Sequence, residues 1–153
     1  AAVDVNSAQK TILYKKACER MITFSGLKIA ILGLAFKPGT DDLREAPSLD
    51  NVELLLEQGG DLVAYDPAAT DNFKKRYPEG KNKNGSIRYV NSVVSAIDGA
   101  DICFVFTEWN QIKELSPIVI KERMNIPLVY DGRNIFDKEE MRAAGVEYYG
   151  VGR

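Results

Sequence analysis

The chain has 153 residues, of which 45% are hydrophobic and 27% charged, with a formal net charge of −2. These values are typical of one globular domain that can bury a core without disulfides or metals. The cations are scattered and no apolar run approaches the roughly 18–20 residues of a membrane span, so neither nucleic acid nor a membrane is an expected partner.

The first predicted element is a helix over residues 3–22, in which Leu13, Ala17 and Met21 form an apolar row at i+4 spacing. Gly26 ends this segment. Apolar runs typical of buried strands follow, separated by helical patterns. The predicted strands are Lys28–Leu34, Asp61–Tyr65, Ile87–Val90, Ile102–Phe106, Ile126–Tyr130 and Val146–Tyr148.

Helices are predicted between these strands. Leu49, Val52, Leu55 and Leu56 give the first of them its core face. The others are Ala68–Tyr77, Val93–Ile97, parts of Ile112–Met124 on either side of Pro117, and Asp137–Ala143. Disorder is expected, if anywhere, around Lys81–Ser86. Strands alternating with helices predict an α/β fold: a Rossmann-like, doubly wound, mainly parallel sheet with an N-terminal helical lead-in.

Ligands of such sheets bind beyond the carboxyl ends of the strands, where the strand order reverses. Charged loops follow three of the predicted strands, at Ala35–Glu45, Thr107–Trp109 and Asp131–Arg133. The first loop is long for a connection, since the median is about five residues. We expect the charged residues of these loops to converge.

The first loop lacks the usual phosphate motifs. Ala35 stands where a GxGxxG fingerprint has its second glycine, and GxxxxGK[ST] is absent. Side chains and loop amides must therefore hold any phosphate, and Lys37, Arg44 and Arg133 are the available cations. One charge-assisted contact contributes about 1.5–3 kcal/mol.

The residues alone leave plainer interpretations open. Arg44 is equally a local ion-pair partner of its acidic neighbours, and Lys37 a solvated side chain. Asp131–Arg133 is also a common turn, and Glu108 with Trp109 could cap and pack a helix start. Tyr65–Asp66–Pro67 terminates a strand, although Asp66 lies near the position of a ribose-binding acid.

The chain contains no histidine and two cysteines, Cys18 and Cys103. Ser–His–Asp triads, histidine acid–base catalysis and histidine-containing zinc sites are therefore excluded for these residues, and no metal site is predicted. Cys103 lies within an apolar run and Cys18 on a predicted helix, so both are interpreted as structural. This usage fits a reducing, cytoplasmic location.

The segment GLAFKPGTDDLREAPS, Gly33–Ser48, closely resembles the signature of the C-terminal domain of UDP-glucose/GDP-mannose dehydrogenases. YDP at Tyr65–Pro67, TEW at Thr107–Trp109 and DGR at Asp131–Arg133 match in the same order. The lead-in VNSAQ, Val5–Gln9, resembles the end of that family's long central helix. The resemblance implies that residues 1–25 end a central helical dimerisation region and that residues 26–153 form a UDP-sugar-binding domain.

The resemblance further implies an NAD-dependent enzyme that oxidises the C6 alcohol of a nucleotide sugar to a carboxylate in two steps. An N-terminal Rossmann domain would bind most of the NAD, and a central region would carry the catalytic cysteine and dimerise. Phe36, Lys37 and Arg133 match substrate-binding positions, and Arg44 matches an arginine that reaches NAD. Neither cysteine lies in the family's cysteine motif, so no catalytic residue is implied in this chain.

The expected partners are therefore the UDP-sugar and the rest of a homo-oligomeric parent enzyme, with the chain inactive by itself. The form TDDLREAPS is most similar to the UDP-glucose group. The alternatives within the family are UDP-N-acetylmannosamine and GDP-mannose dehydrogenases. Outside it, the alternatives are a free-standing nucleotide-sugar-binding module and a response-regulator-like domain with a phosphorylatable aspartate at Asp41 or Asp42.

Overall fold

The apolar runs of the sequence form one mainly parallel sheet in the computed structural model, which describes residues 9–152. The strands are β1 (Lys28–Leu32), β2 (Asp61–Tyr65), β3 (Gly80–Asn82), β4 (Gly85–Tyr89), β5 (Ile102–Val105), β6 (Leu128–Asp131) and β7 (Glu147–Gly150). Their order across the described part of the sheet is β3-β4-β2-β1-β5-β6-β7. Every pairing there is parallel except β3 with β4.

Helices cover both faces of the sheet. They are α1 (Ile12–Cys18), α2 (Pro47–Glu57), α3 (Thr70–Arg76), α4 (Val93–Ile97), α5 (Asn110–Lys113), α6 (Pro117–Arg123) and α7 (Lys138–Ala143). The first three pack on one face, where Leu55 and Phe73 meet Phe104 of β5. The other four pack on the opposite face, where Ile97 and Met141 meet alternate strand residues. The predicted doubly wound α/β fold is confirmed.

The strand order reverses at β1. From β1 the chain runs outward through β2 to β4, and then returns to β5 on the other side of β1. Both neighbours pair with β1 in parallel, so their carboxyl ends open on the same edge of the sheet. This is the switch point at which ligands of such sheets bind.

The lead-in helix packs back on the domain. Leu13 and Ala17 are buried, as their row predicts. The backbone N–H of Tyr14 donates to Asn51 Oδ1 on α2 at 3.1 Å, and Lys16 Nζ donates to the carbonyl of Gly150 on β7 at 2.5 Å. The regular helix ends at Cys18, short of the predicted residue 22, and residues 3–8 of the prediction lie outside the described residues.

One other segment differs from its prediction. The stretch expected to be open to disorder forms the β3–β4 hairpin, in which Lys83 has φ 52° and its Nζ lies 2.8 Å from Glu53 Oε2. The predicted interruption at Pro117 is observed: the segment divides into α5 and α6, because Ser116 caps α6 by accepting from the N–H of Ile118. Within residues 9–152, no helix has the length and apolar character needed to cross a bilayer.

We predict that Gly33→Ala destabilises the protein by about 3 kcal/mol or more. Gly33 has φ +92°, and an added Cβ would lie 2.5 Å from the Cβ of the buried Thr107. The matched control is Gly39→Ala, at φ +82° with nothing within 4 Å of the added Cβ, which should cost only about 1–2 kcal/mol of backbone strain. Urea unfolding measures both changes, and equal losses would contradict the clash.

Candidate functional site

The three charged loops lie side by side, because β1, β5 and β6 are neighbours in the sheet. The hydroxyl of Thr107, after β5, donates to the carbonyl of Ala35, after β1, at 2.6 Å. Arg133 Nη2, after β6, donates to the carbonyl of Phe36 at 3.1 Å. Convergence of these loops, expected from the topology, is therefore observed in the structure.

Asp66 anchors the loops from beneath. Its carboxylate is buried at the end of β2 and accepts hydrogen bonds of 2.7–3.0 Å from donors of three loops. These donors are the backbone N–H groups of Leu34, Ala35, Ala68 and Ala69, and the indole N–H of Trp109. Such a set of donors replaces the hydration that a buried charge loses. Asp66 therefore fixes the loops after β1, β2 and β5 relative to one another.

Asp131 plays the same part for the turn after β6. The carboxylate is fully buried, and it accepts from the N–H groups of Arg133, Ile135 and Phe136 at 2.8–3.1 Å. The Tyr148 hydroxyl donates to the same carboxylate at 2.7 Å. The acidic residue of the Asp131–Arg133 turn is thus a structural anchor, and Arg133 is the member that faces outward.

Phe36 and Lys37 lie at the exposed tip that follows the anchored turn. The N–H of Phe36 donates to the carbonyl of Asp42 at 3.0 Å, which closes the loop on itself. The side chain of Phe36 remains on the surface, and the residue is 43% exposed. Lys37 is exposed, and no hydrogen bond or ion pair of its side chain is seen within residues 9–152. The tip of this loop therefore exposes an aromatic ring and a cation to solvent.

Arg133 is held by two loops. Its Nε and Nη2 atoms lie 3.2 and 3.1 Å from the same oxygen of Glu108, Oε1, and Nη2 also donates to Phe36. Both charged side chains are about one-third exposed, at 32% and 33%. The predicted site residues Phe36 and Arg133 are thus brought into contact, and Lys37 follows Phe36 in the chain.

Arg44 lies on the same loop but is turned toward Asp42. Its Nη2 atom is 2.9 Å from Asp42 Oδ2, and its side chain is 89% exposed. The Arg44 side chain, assisted by the Arg44 backbone N–H, lowers the pKa of Asp42 to about 2. The local ion-pair interpretation of Arg44 is therefore observed, and the exposed guanidinium remains accessible from solvent.

Two adjoining cavities open beside Arg133 and Phe36. One, of about 200 Å³, includes Leu13, Phe106 and Arg133 in its lining, and the other, of about 330 Å³, includes Phe36 and Glu45. Both are also lined by Gln9, Lys10 and Pro47. The floor of the first cavity is tight, since a Cβ on Gly132 would lie 2.8 Å from Leu13 Cδ1.

Two parts of this site differ from what the sequence predicts. Asp66 is predicted to terminate a strand, although an acidic residue directly after a buried strand is a signal for the shared acceptor that the structure shows. Lys10 is predicted to belong to a separate helical region, whereas Lys10 Nζ lies 2.6 Å from Glu45 Oε2 at the cavity rim. No local pattern signals that second contact, because the two residues are distant in sequence.

The turn after β1 does not fit the pyrophosphate of a dinucleotide. In dinucleotide-binding folds, this turn and the start of the next helix present free N–H groups to the phosphates. Here Leu34 and Ala35 donate to Asp66 instead. The next helix begins only at Pro47, which has no N–H. An incoming phosphate would also meet a carboxylate at this turn.

The cysteines are free and do not enter the site. Cys18 is exposed on α1 and Cys103 is buried in β5. Burial, with a smaller contribution from Asp131, raises the pKa of the Cys103 thiol far above its usual value, so this thiol is unreactive at neutral pH. Within residues 9–152, no three His, Cys, Asp or Glu side chains are grouped as metal ligands would be.

The chain is similar to known nucleotide-sugar enzymes. A family profile described as the UDP-glucose/GDP-mannose dehydrogenase family, UDP binding domain, matches residues 30–138. UDP-glucose 6-dehydrogenase YwqF of Bacillus subtilis is 38% identical over 100% of this chain and 33% of its own length. UDP-glucose 6-dehydrogenase of Pseudomonas aeruginosa is 40% identical over 97% of this chain and 33% of its own length.

A solved structure has the same fold. The UDP-glucose dehydrogenase of Pyrobaculum islandicum superposes with a TM-score of 0.76 at 28% identity, over 96% of this chain and 30% of that one. This chain therefore spans about a third of the length of the proteins that it matches.

We predict that the pKa of Asp42, measured by NMR titration of its side-chain carboxyl carbon, is about 2 and returns toward 3.8 in Arg44→Ala. Because the pKa of Asp42 is lower in the folded protein than in the unfolded chain, its pairing with Arg44 stabilises the fold above pH 3.8. This stabilisation is lost as the pH falls toward 2. Lys37→Ala is the control, since Lys37 contributes the weakest of the lowering effects. A larger change in Lys37→Ala than in Arg44→Ala would contradict this assignment.

Proposed function

This chain belongs to the UDP-glucose/GDP-mannose dehydrogenase family, and we propose that it is the UDP-sugar-binding part of an NAD-dependent UDP-glucose 6-dehydrogenase. The observation that carries the proposal is the convergence of Phe36 and Arg133 on the two cavities, with Lys37 next to Phe36 in the chain. The parent enzyme would convert UDP-glucose to UDP-glucuronate by two oxidations at C6. The named relatives that cover this chain support that substrate.

Each residue has a role that its chemistry supports. Arg133 uses its Nε and Nη2 atoms for Glu108 and Phe36, while Nη1 has no hydrogen bond within the described residues. Those two remaining N–H groups suit a diphosphate oxygen. Lys37 adds a second cation at the same end of the sheet. The exposed ring of Phe36 provides an apolar face for the uracil or the sugar.

NAD would be held mainly by the other parts of the parent enzyme. The N–H groups of the turn after β1 already donate to Asp66. This chain would therefore contact NAD through side chains on its surface. Arg44 is the residue that we assign to that contact, because its guanidinium is exposed at the outer end of the loop. The catalytic residues would lie in the other parts of the enzyme, and the two free thiols of this chain suit the reducing cytoplasm. The parent would be a homo-oligomer.

We predict that the chain binds UDP weakly and that Arg133→Ala weakens this binding about tenfold or more, as expected for loss of a charge-assisted contact. NMR titration with UDP measures the affinity, and Trp109, the only tryptophan in the chain, gives a single indole signal beside the site. The matched control is Arg123→Ala, an exposed arginine at the end of α6 whose ion-pair distance is 3.9 Å.

The control variant should bind UDP within about twofold of the wild type, since an exposed pair contributes little. Uridine, which has no phosphate, should bind equally to the wild type and to Arg133→Ala. GDP in place of UDP tests the GDP-mannose alternative. Binding of UDP that is undetectable, or that Arg133→Ala leaves unchanged, would contradict the proposed site.

We predict that this chain alone does not form NADH from NAD and UDP-glucose, because the catalytic cysteine and most of the cofactor site are assigned to other parts of the enzyme. Absorbance at the NADH band over several hours is the measurement. A full-length relative assayed in parallel shows that the substrates are competent. Steady NADH production by the chain would refute the division of labour proposed here.

A further inference from the structure

We propose that Glu108 is a positioning residue of the sugar-nucleotide site, which holds the Arg133 guanidinium in the orientation that receives a phosphate. The inference rests on the proposed function, because it assigns Arg133 to the ligand. It begins from the contact between Glu108 Oε1 and the Nε and Nη2 atoms of Arg133, at 3.2 and 3.1 Å. A single carboxylate oxygen thus engages one edge of the guanidinium.

The contact determines which donors of Arg133 remain available. Nη2 also donates to the carbonyl of Phe36, so this edge of the guanidinium is bound to the loops after β5 and β1. The Nη1 group, which lies away from that edge in a planar guanidinium, has no hydrogen bond within residues 9–152. A flexible arginine is thereby restricted before any ligand arrives, which reduces the entropy that binding would otherwise cost.

Glu108 is well placed to position Arg133, because hydrogen bonds fix both of its chain neighbours. Thr107 is buried, and its hydroxyl donates to the carbonyl of Ala35 at 2.6 Å. The Trp109 indole donates to the buried carboxylate of Asp66 at 3.0 Å. The three residues of the TEW segment therefore divide into two anchors and, between them, a carboxylate that faces the ligand edge of the sheet.

A helix-capping role for Glu108 is not observed. Helix α5 begins at Asn110, with Trp109 at its N-cap position, and no side chain makes a cap hydrogen bond there. Within residues 9–152, the Glu108 carboxylate accepts from Arg133. Positioning of that arginine is thus the role that the contacts support.

A double-mutant cycle tests the inference on the full chain, with UDP as the ligand and NMR titration as the readout. We expect Glu108→Ala to weaken UDP binding about threefold to fivefold, the range of a partly exposed ion pair. In the Arg133→Ala background, the same change should have no effect, because Glu108 acts through Arg133. Glu108→Gln keeps an acceptor oxygen and should retain most of the wild-type affinity.

The NMR signal of the Arg133 Nε–H group provides a second measurement, which would not change if Glu108 had only a structural role. The Arg133 Nε–H signal should be protected in the wild type and in Glu108→Gln, and lost in Glu108→Ala. The charge-matched control is Glu122→Ala on α6, an exposed carboxylate with no hydrogen bond or ion pair among the described residues. It should leave both the affinity and the Arg133 signal unchanged. Urea midpoints verify that each variant is folded.

The outcomes separate this inference from the proposed function. If Arg133→Ala weakens UDP binding while Glu108→Ala leaves it unchanged or strengthens it, the site stands and the positioning role is wrong. An equal effect of Glu108→Ala in both backgrounds also overturns the positioning role. If Arg133→Ala itself has no effect on UDP binding, the proposed site fails, and the inference that rests on it fails as well.

Discussion

The site depends on the hydrogen bonds that the buried carboxylate of Asp66 accepts. This carboxylate accepts from backbone N–H groups after β1 and β2 and from the Trp109 indole after β5. A buried charge is tolerated only when such partners satisfy it. The loops are therefore organised around an anion that belongs to the protein, and ligand recognition passes to side chains farther from the sheet.

That arrangement explains how a dinucleotide type of fold can serve a different ligand. The donors that would face a pyrophosphate are already used, so the outer residues Phe36, Lys37 and Arg133 are left to meet an incoming molecule. Arg133 is itself fixed through Asp131, whose buried carboxylate shapes the turn after β6. The buried carboxylates of Asp66 and Asp131 thus fix the loops, and the cations on these loops are left to attract an anionic ligand.

The fold was largely predictable because consecutive apolar residues are buried on both faces of a parallel sheet. The predicted bounds of Asp61–Tyr65 and Val93–Ile97 agree with the structure to the residue. The hairpin at Lys81–Ser86 was missed because it depends on contacts distant in sequence: β4 pairs with β2, and Ile87 of β4 is buried in the core. Convergence of the charged loops followed from topology. The position of Asp66 directly after a buried strand signals an acidic residue at this edge of the sheet, but it does not show which loops donate to the carboxylate.

The packing of Leu13 against Gly132 has a mechanical consequence. A Cβ on that glycine would lie 2.8 Å from Leu13 Cδ1, so the lead-in helix rests directly on the backbone of the turn that carries Arg133. Close-packed contacts of this kind transmit displacement instead of absorbing it. Position 132 therefore accepts no side chain larger than that of glycine without displacing either α1 or the turn that carries Arg133.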